Sequence, residues 1–160
     1  MNGGTRLDLE AFTAEFSQAW SGLKSRFLKV ECWQSYQGSE SNRSQHAFNI
    51  GARVRVVQQP LTEYLRYELM SYRIRGAMGE NVEVMRIGSD ATVPNDEIFD
   101  FLLFDRDVAL VHDYGQGPTG VQTGGWLVRD TPSVRRLESR ALALRREAEP
   151  LERFMTATDL

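Results

Sequence analysis

The stretch from Arg53 to Leu69, Arg-Val-Arg-Val-Val-Gln-Gln-Pro-Leu-Thr-Glu-Tyr-Leu-Arg-Tyr-Glu-Leu, changes its hydrophobic period partway along. Val54 and Val56 alternate with Arg53 and Arg55, the two-residue period of a half-buried strand. Beyond Pro60, Leu61, Leu65 and Leu69 share one side of a helix. Proline has no ladder donor and pushes the preceding Gln59 toward extended geometry, so the corner falls at Pro60. The junction gathers Arg53, Arg55, Tyr64 and Arg66 in one neighbourhood, the best candidate surface for function.

The rest of the chain supplies elements of both kinds. Leu9, Phe12, Phe16 and Trp20 follow helical spacing, with Asp8 or Thr5 available as a cap and Gly22 as a stop. Phe27–Trp33 reads as a strand with Leu28, Val30 and Cys32 on one face and Lys29 and Glu31 on the other. Gln34–Gln45 reads as a surface loop, and a short helix is expected near His46–Ile50. A central helix over Thr62–Ile74 leads to an alternating segment, Val82–Ile87, and a loop over Gly88–Asp96. Ile98–Phe104, Val108–His112 and Val121–Val128 form a three-strand meander, with Gly124 and Gly125 marking a bulge or close approach. Thr131-Pro132 starts a long helix that Pro150 bends or ends. The expected architecture is α+β: a mainly antiparallel sheet with a C-terminal three-strand meander, packed by an N-terminal, a central and a long C-terminal helix. Residues 1–7 are expected as a flexible N-terminus and 8–156 as a single domain.

Composition narrows the function classes. No apolar run approaches the roughly 20 residues that span a bilayer, so no membrane partner is expected. No apolar segment of signal-peptide type follows the polar start, and the lone Cys32 rules out an intramolecular disulfide, so a cytoplasmic location is expected. The net charge of −3 gives no overall drive toward nucleic acid, and direct nucleic-acid binding is not expected.

Two constellations carry chemistry. Arg53, Arg55, Tyr64 and Arg66 form the densest basic and aromatic grouping, suited to an anion or an acidic protein surface; its plainer reading is solvated Arg and Arg–Glu pairs. Asp100 interrupts the apolar run Ile98–Phe104 on the parity of Leu102 and Phe104, and an acid there needs a partner. Asp100 therefore joins the binding candidates. Asp100, Asp105 and His112 together are the alternative catalytic candidates for Mg²⁺-dependent phosphodiester chemistry. His46 and His112 are the only histidines and no cluster has ligand spacing, so no resident metal or cofactor is predicted. The seam Val134, Leu137, Ala141, Leu144 of the last helix is short for a coiled coil; packing on the sheet is expected ahead of a homodimer interface, which stays open.

The runs Arg53–Val57, Pro60-Leu61, Tyr64–Leu69, Asp100–Asp105 and Val108–His112, with the terminal Ala148–Leu151 and Phe154, resemble an uncharacterised actinobacterial domain-of-unknown-function family commonly encoded beside Xre-type helix-turn-helix regulators. The resemblance implies a regulatory neighbourhood, with a helix-turn-helix regulator or another protein as partner, and no established catalytic residues. The expected function is a non-enzymatic regulatory or signalling module binding a partner protein or small anionic ligand. The alternative is a Mg-dependent phosphodiesterase or toxin-like enzyme acting on nucleotides or nucleic acid.

Overall fold

A computed structural model describes residues 3–32, 51–88, 99–115 and 121–160. The loop expected at Gln34–Gln45, the short helix near His46–Ile50, and nearly all of the Gly88–Asp96 loop lie outside the described residues. In chain order the elements are β1 (Gly4–Asp8), α1 (Leu9–Ser21), β2 (Phe27–Glu31), β3 (Gly51–Gln58), α2 (Glu63–Ala77), β4 (Asn81–Ile87), β5 (Phe101–Phe104), β6 (Val108–Asp113), β7 (Gly124–Val128), α3 (Thr131–Glu147), β8 (Glu149–Pro150) and α4 (Leu151–Ala157).

Side chains set the helix starts. Asp8 caps α1 by accepting from the Ala11 amide at 2.8 Å, and Thr62 caps α2 by accepting from Leu65 at 3.1 Å. For α3 the cap is Asp130, one residue before the expected Thr131; its carboxylate accepts from Ser133 at 3.0 Å, and Pro132 sits in the first turn, where no donor is needed. The helix stops at Glu147. Pro150 lies on the short β8, paired with Glu83, before α4 begins.

The eight strands form one mixed sheet in the order β1-β7-β6-β5-β2-β3-β4-β8. The neighbours β5, β6 and β7 pair antiparallel, but β2 with β3 and β3 with β4 are parallel. The expectation of a mainly antiparallel sheet is therefore refined to a mixed one. The 15 residues of α2 between β3 and β4 supply the crossover that parallel pairing requires. Gly4–Leu7, expected as part of a flexible N-terminus, belong instead to the edge strand β1, which pairs antiparallel with β7 from Gly4↔Val128 to Asp8↔Gly124. Its five residues are too polar to signal a strand by themselves.

Helices cover both faces. On one, α3 lays Val134, Leu137 and Ala141 over Leu28, Val30, Val56, Phe101, Leu103 and Val111. On the other, α1 covers Phe27, Leu102, Phe104 and Leu110, while α2 and α4 cover Val57, Val82 and Val84. Strand β3 is central, so the alternation read as half-buried is buried on both sides: Val54 and Val56, but also Arg53 and Arg55, at 4% and 0% exposure. Gly125 keeps α1 close to the sheet, because a Cβ there would lie 2.6 Å from Phe12 Cε2.

Candidate functional site

The strand register Lys29↔Arg53 and Glu31↔Arg55 sets charged side chains next to one another beneath α2. Arg53 donates from Nε to Glu80 Oε1 at 2.7 Å and from a terminal nitrogen to Glu31 Oε2 at 2.8 Å and the Tyr72 hydroxyl at 3.1 Å. Its guanidinium also lies 4.7 Å from the Tyr72 ring centroid. Tyr72 donates to Glu31 as well, and Lys29 Nζ sits 2.7 Å from Glu31 Oε1. Arg55 donates to Glu68 and to the Glu31 and Val56 carbonyls, and Tyr64 donates to the other Glu68 oxygen. Three cations (Lys29, Arg53, Arg55) thus face three carboxylates (Glu31, Glu68, Glu80), and the formal charge of the cluster balances.

The local field follows from this arrangement. Burial pushes the Glu31 carboxyl up, but Arg53, Lys29 and Arg55 outweigh it and hold Glu31 well below the usual carboxylate range. Burial dominates at Glu68, which is raised despite Arg55. It also raises both Tyr64 and Tyr72, so these phenols stay protonated donors.

Next to this cluster, between α1 and the sheet, lies a cavity of about 300 Å³. Phe12, Thr13, Phe16 and Trp20 of α1 form one wall. Phe27, Lys29, Arg53, Leu102 and His112 come from the strands, and Glu80 and Gln122 from the loops before β4 and β7. One end is therefore aromatic and the other charged, the pattern of a small-molecule site. The His112 ring is partly buried, 5.0 Å from the Phe12 centroid and stacked 5.9 Å from Tyr114. Desolvation lowers its pKa to about 4, so the imidazole is neutral at pH 7.

The sequence-predicted residues divide. Arg53 lines the cavity, and Arg55 and Tyr64 meet one another through Glu68. Arg66 is exposed on α2 and stands apart from them, so the expected cationic surface is not assembled as one patch. Arg55 is wholly enclosed, and the Arg–Glu pairing weighed from sequence describes both β3 arginines. Asp100 is buried; it accepts from the Cys32 amide at 2.6 Å and the Tyr114 hydroxyl at 2.8 Å, ordering the end of β2. Asp105, in the turn between β5 and β6, accepts from the Lys24, Ser25 and Arg26 amides at 2.7–3.0 Å. These bonds outweigh its desolvation and hold its pKa at about 2.

The alternative catalytic trio is not brought together. His112 donates its amide to the Asp100 carbonyl at 2.9 Å, but Asp105 lies at the far end of β5, roughly 16 Å along an extended strand. Among the described residues no three His, Cys, Asp or Glu groups converge to hold a metal ion. Cys32 packs in the α3-side core, and burial raises its thiol pKa, so it is not a thiolate nucleophile.

Sequence reasoning missed Lys29, Glu31 and Glu80 as site residues, and it treated Phe12, Phe16 and Trp20 as ordinary core. The available signal was charge at alternate positions on both β2 and β3. Two such strands side by side imply a buried ion network, but their adjacency is a tertiary fact.

Residues 50–156 match the model of a family described as a domain of unknown function (DUF6879), and the chain belongs to that family. None of the curated proteins matches it. Among solved structures it is similar to TrmBL2, an archaeal chromatin protein whose structure "shows a novel mode of DNA binding", with 11% identity and a TM-score of 0.53. The match covers 92% of this chain and 52% of that one, so the chain spans about half the length of that solved structure. At this identity the likeness concerns the fold. It nevertheless overturns the expectation against direct nucleic-acid binding, because the fold is shared with a DNA-binding chromatin protein. Net charge averages over faces, and Arg135, Arg136 and Arg146 are all exposed on α3. Among the described residues no helix is long and apolar enough to cross a membrane.

Proposed function

We propose that this member of the DUF6879 family is a non-enzymatic regulatory module that binds a small, flat ligand in the cavity between α1 and the sheet. The observation that carries this reading is the cavity itself: about 300 Å³, walled by Phe12, Phe16 and Trp20 and ending at Lys29, Arg53 and Glu80. Because Lys29 and Arg53 are already paired with carboxylates, the balanced charge favours a neutral ligand over an anion. A cytoplasmic regulatory setting suits such a module and agrees with the resemblance to an actinobacterial family encoded beside Xre-type regulators.

Indole and quinoline are suitable first probes. Each should perturb the backbone resonances of Lys29, Arg53 and His112, and Trp20→Ala should weaken binding at least tenfold while the circular dichroism spectrum stays native. Unchanged resonances at millimolar probe, or full affinity in a folded Trp20→Ala protein, would remove the reading.

A second reading, contact with DNA, is favoured by the fold shared with TrmBL2 and by the exposed arginines of α3. It requires binding of a duplex that weakens steeply between 50 and 200 mM salt, on the order of tenfold or more, and is lost with Arg135→Glu and Arg136→Glu together. Salt-insensitive or absent binding excludes it.

A further inference from the structure

The charged end of the cavity is incomplete in a specific way. The Glu80 side chain is 4% exposed, and its Oε1 accepts from Arg53 Nε at 2.7 Å. Among the described residues its Oε2 is buried without a hydrogen-bond partner, and so is His112 Nδ1. Both orphaned atoms belong to residues that line the same cavity. A buried polar atom left unsatisfied is costly, and more so on a charged group, so a ligand that completes it gains accordingly.

The neighbouring groups restrict what that ligand can be. Lys29 Nζ carries three donors and, among the described residues, uses one on Glu31 Oε1 at 2.7 Å, leaving N–H groups suited to an acceptor. An anionic group at Glu80 would meet a like charge, and an ammonium would add a third cation beside Lys29 and Arg53. A wholly apolar ring would leave Oε2 unsatisfied. On the α1 side, Phe16 and Trp20 stand nearly parallel, 6.0 Å apart at 5°, and Trp20 meets Phe27 edge-on at 5.2 Å. Such surfaces receive flat rings.

The geometry points to a neutral nitrogen heterocycle bearing an exocyclic amino group, of the aminopurine or aminopyrimidine class, donating an amino N–H to Glu80 Oε2 while a ring nitrogen accepts from Lys29 Nζ. This assignment rests on the reading of the cavity as a small-ligand site and adds what the ligand must present.

Calorimetry on the full chain with adenine, unsubstituted purine and hypoxanthine tests it. Adenine should bind at least tenfold more tightly than purine, which lacks the amino donor, and than hypoxanthine, which carries a carbonyl oxygen in its place. In Glu80→Gln, Arg53 still needs an oxygen acceptor, so the amide NH₂ takes the place of Oε2 and the order should reverse in favour of hypoxanthine. Should that variant not fold, the order on the unaltered chain decides. Adenine and purine binding within twofold of each other, or no reversal in a folded variant, overturns the assignment. Binding of indole and quinoline but none of the three purines defeats the ligand class alone; no binding of any probe defeats the parent reading as well.

Discussion

On the face of the sheet under α3, Leu28, Val30, Val56, Phe101 and Leu103 meet Val134, Leu137 and Ala141. On the opposite face of the same central strands, Lys29, Glu31, Arg53 and Arg55 lie beneath α2 and beside the α1 cavity. Both faces bury most of their side chains, but they achieve it differently. The centre of the α3 face is apolar surface of matching shape, with the Arg26–Glu138 and Arg145–Glu83 ion pairs at its margins. The other face must satisfy every charge it buries, and its incomplete place is at Glu80 and His112, where the cavity lies. A face that holds charges out of water depends on specific partners, so recognition of a particular ligand is more readily built there than on a uniform apolar layer.

The sharpest way to break this contrast is to orphan a buried charge. Arg55→Ala leaves Glu68 enclosed without its cation and should cost about 3–5 kcal/mol in urea unfolding. Replacing both partners, Arg55→Met with Glu68→Leu, should recover most of that loss, because an apolar pair would make this face resemble the α3 face. A single-variant cost below about 1 kcal/mol would mean that the network is not the organising feature.

Acid should act next most strongly, through His112. Its folded pKa of about 4 lies below the ordinary 6.5, so the unfolded chain takes up the proton first. Stability is therefore intact above pH 6.5 and falls as pH drops toward 4, by up to about 3 kcal/mol. Glu31, also depressed, extends the loss below the usual carboxylate range. Urea midpoints between pH 7 and 4.5 should show the slope, and His112→Phe should flatten its upper part. An imidazole C2–H titration of His112 centred near 6.5 would contradict the desolvated, neutral ring.

The smallest effect belongs to Arg66, which shares the Arg53–Leu69 block with Arg55 but faces solvent. Arg66→Ala should change stability by less than about 0.5 kcal/mol. A larger loss would show that the exposed side of α2 is engaged in the fold after all.

Much of the local structure was legible. Asp8 as the α1 cap, Thr62 at the start of α2 and the two sides of Phe27–Glu31 all follow from rules acting over a few residues. The site was legible only in fragments. Arg53 and Arg55 stood out, but their positions on β3 were read as solvent-facing, because alternation tells which residues share a side and not what covers that side. Asp100 was correctly marked as an acid needing a partner; that the partners are the Cys32 amide and the Tyr114 hydroxyl depends on β5 pairing with β2 and on the chain returning through β6.

By itself the chain determined α1, α2 and the start of α3, most of its strands and the corner at Pro60, since caps, periods and proline geometry act between near neighbours. Tertiary structure alone decided that β2, β3 and β4 run parallel, that β1 closes an edge, and that Glu31, Glu68 and Glu80 come to Arg53 and Arg55. Those outcomes depend on which surfaces exclude water together. Carboxylates separated by tens of residues acquire a common role only once the sheet has placed them around the same two guanidinium groups.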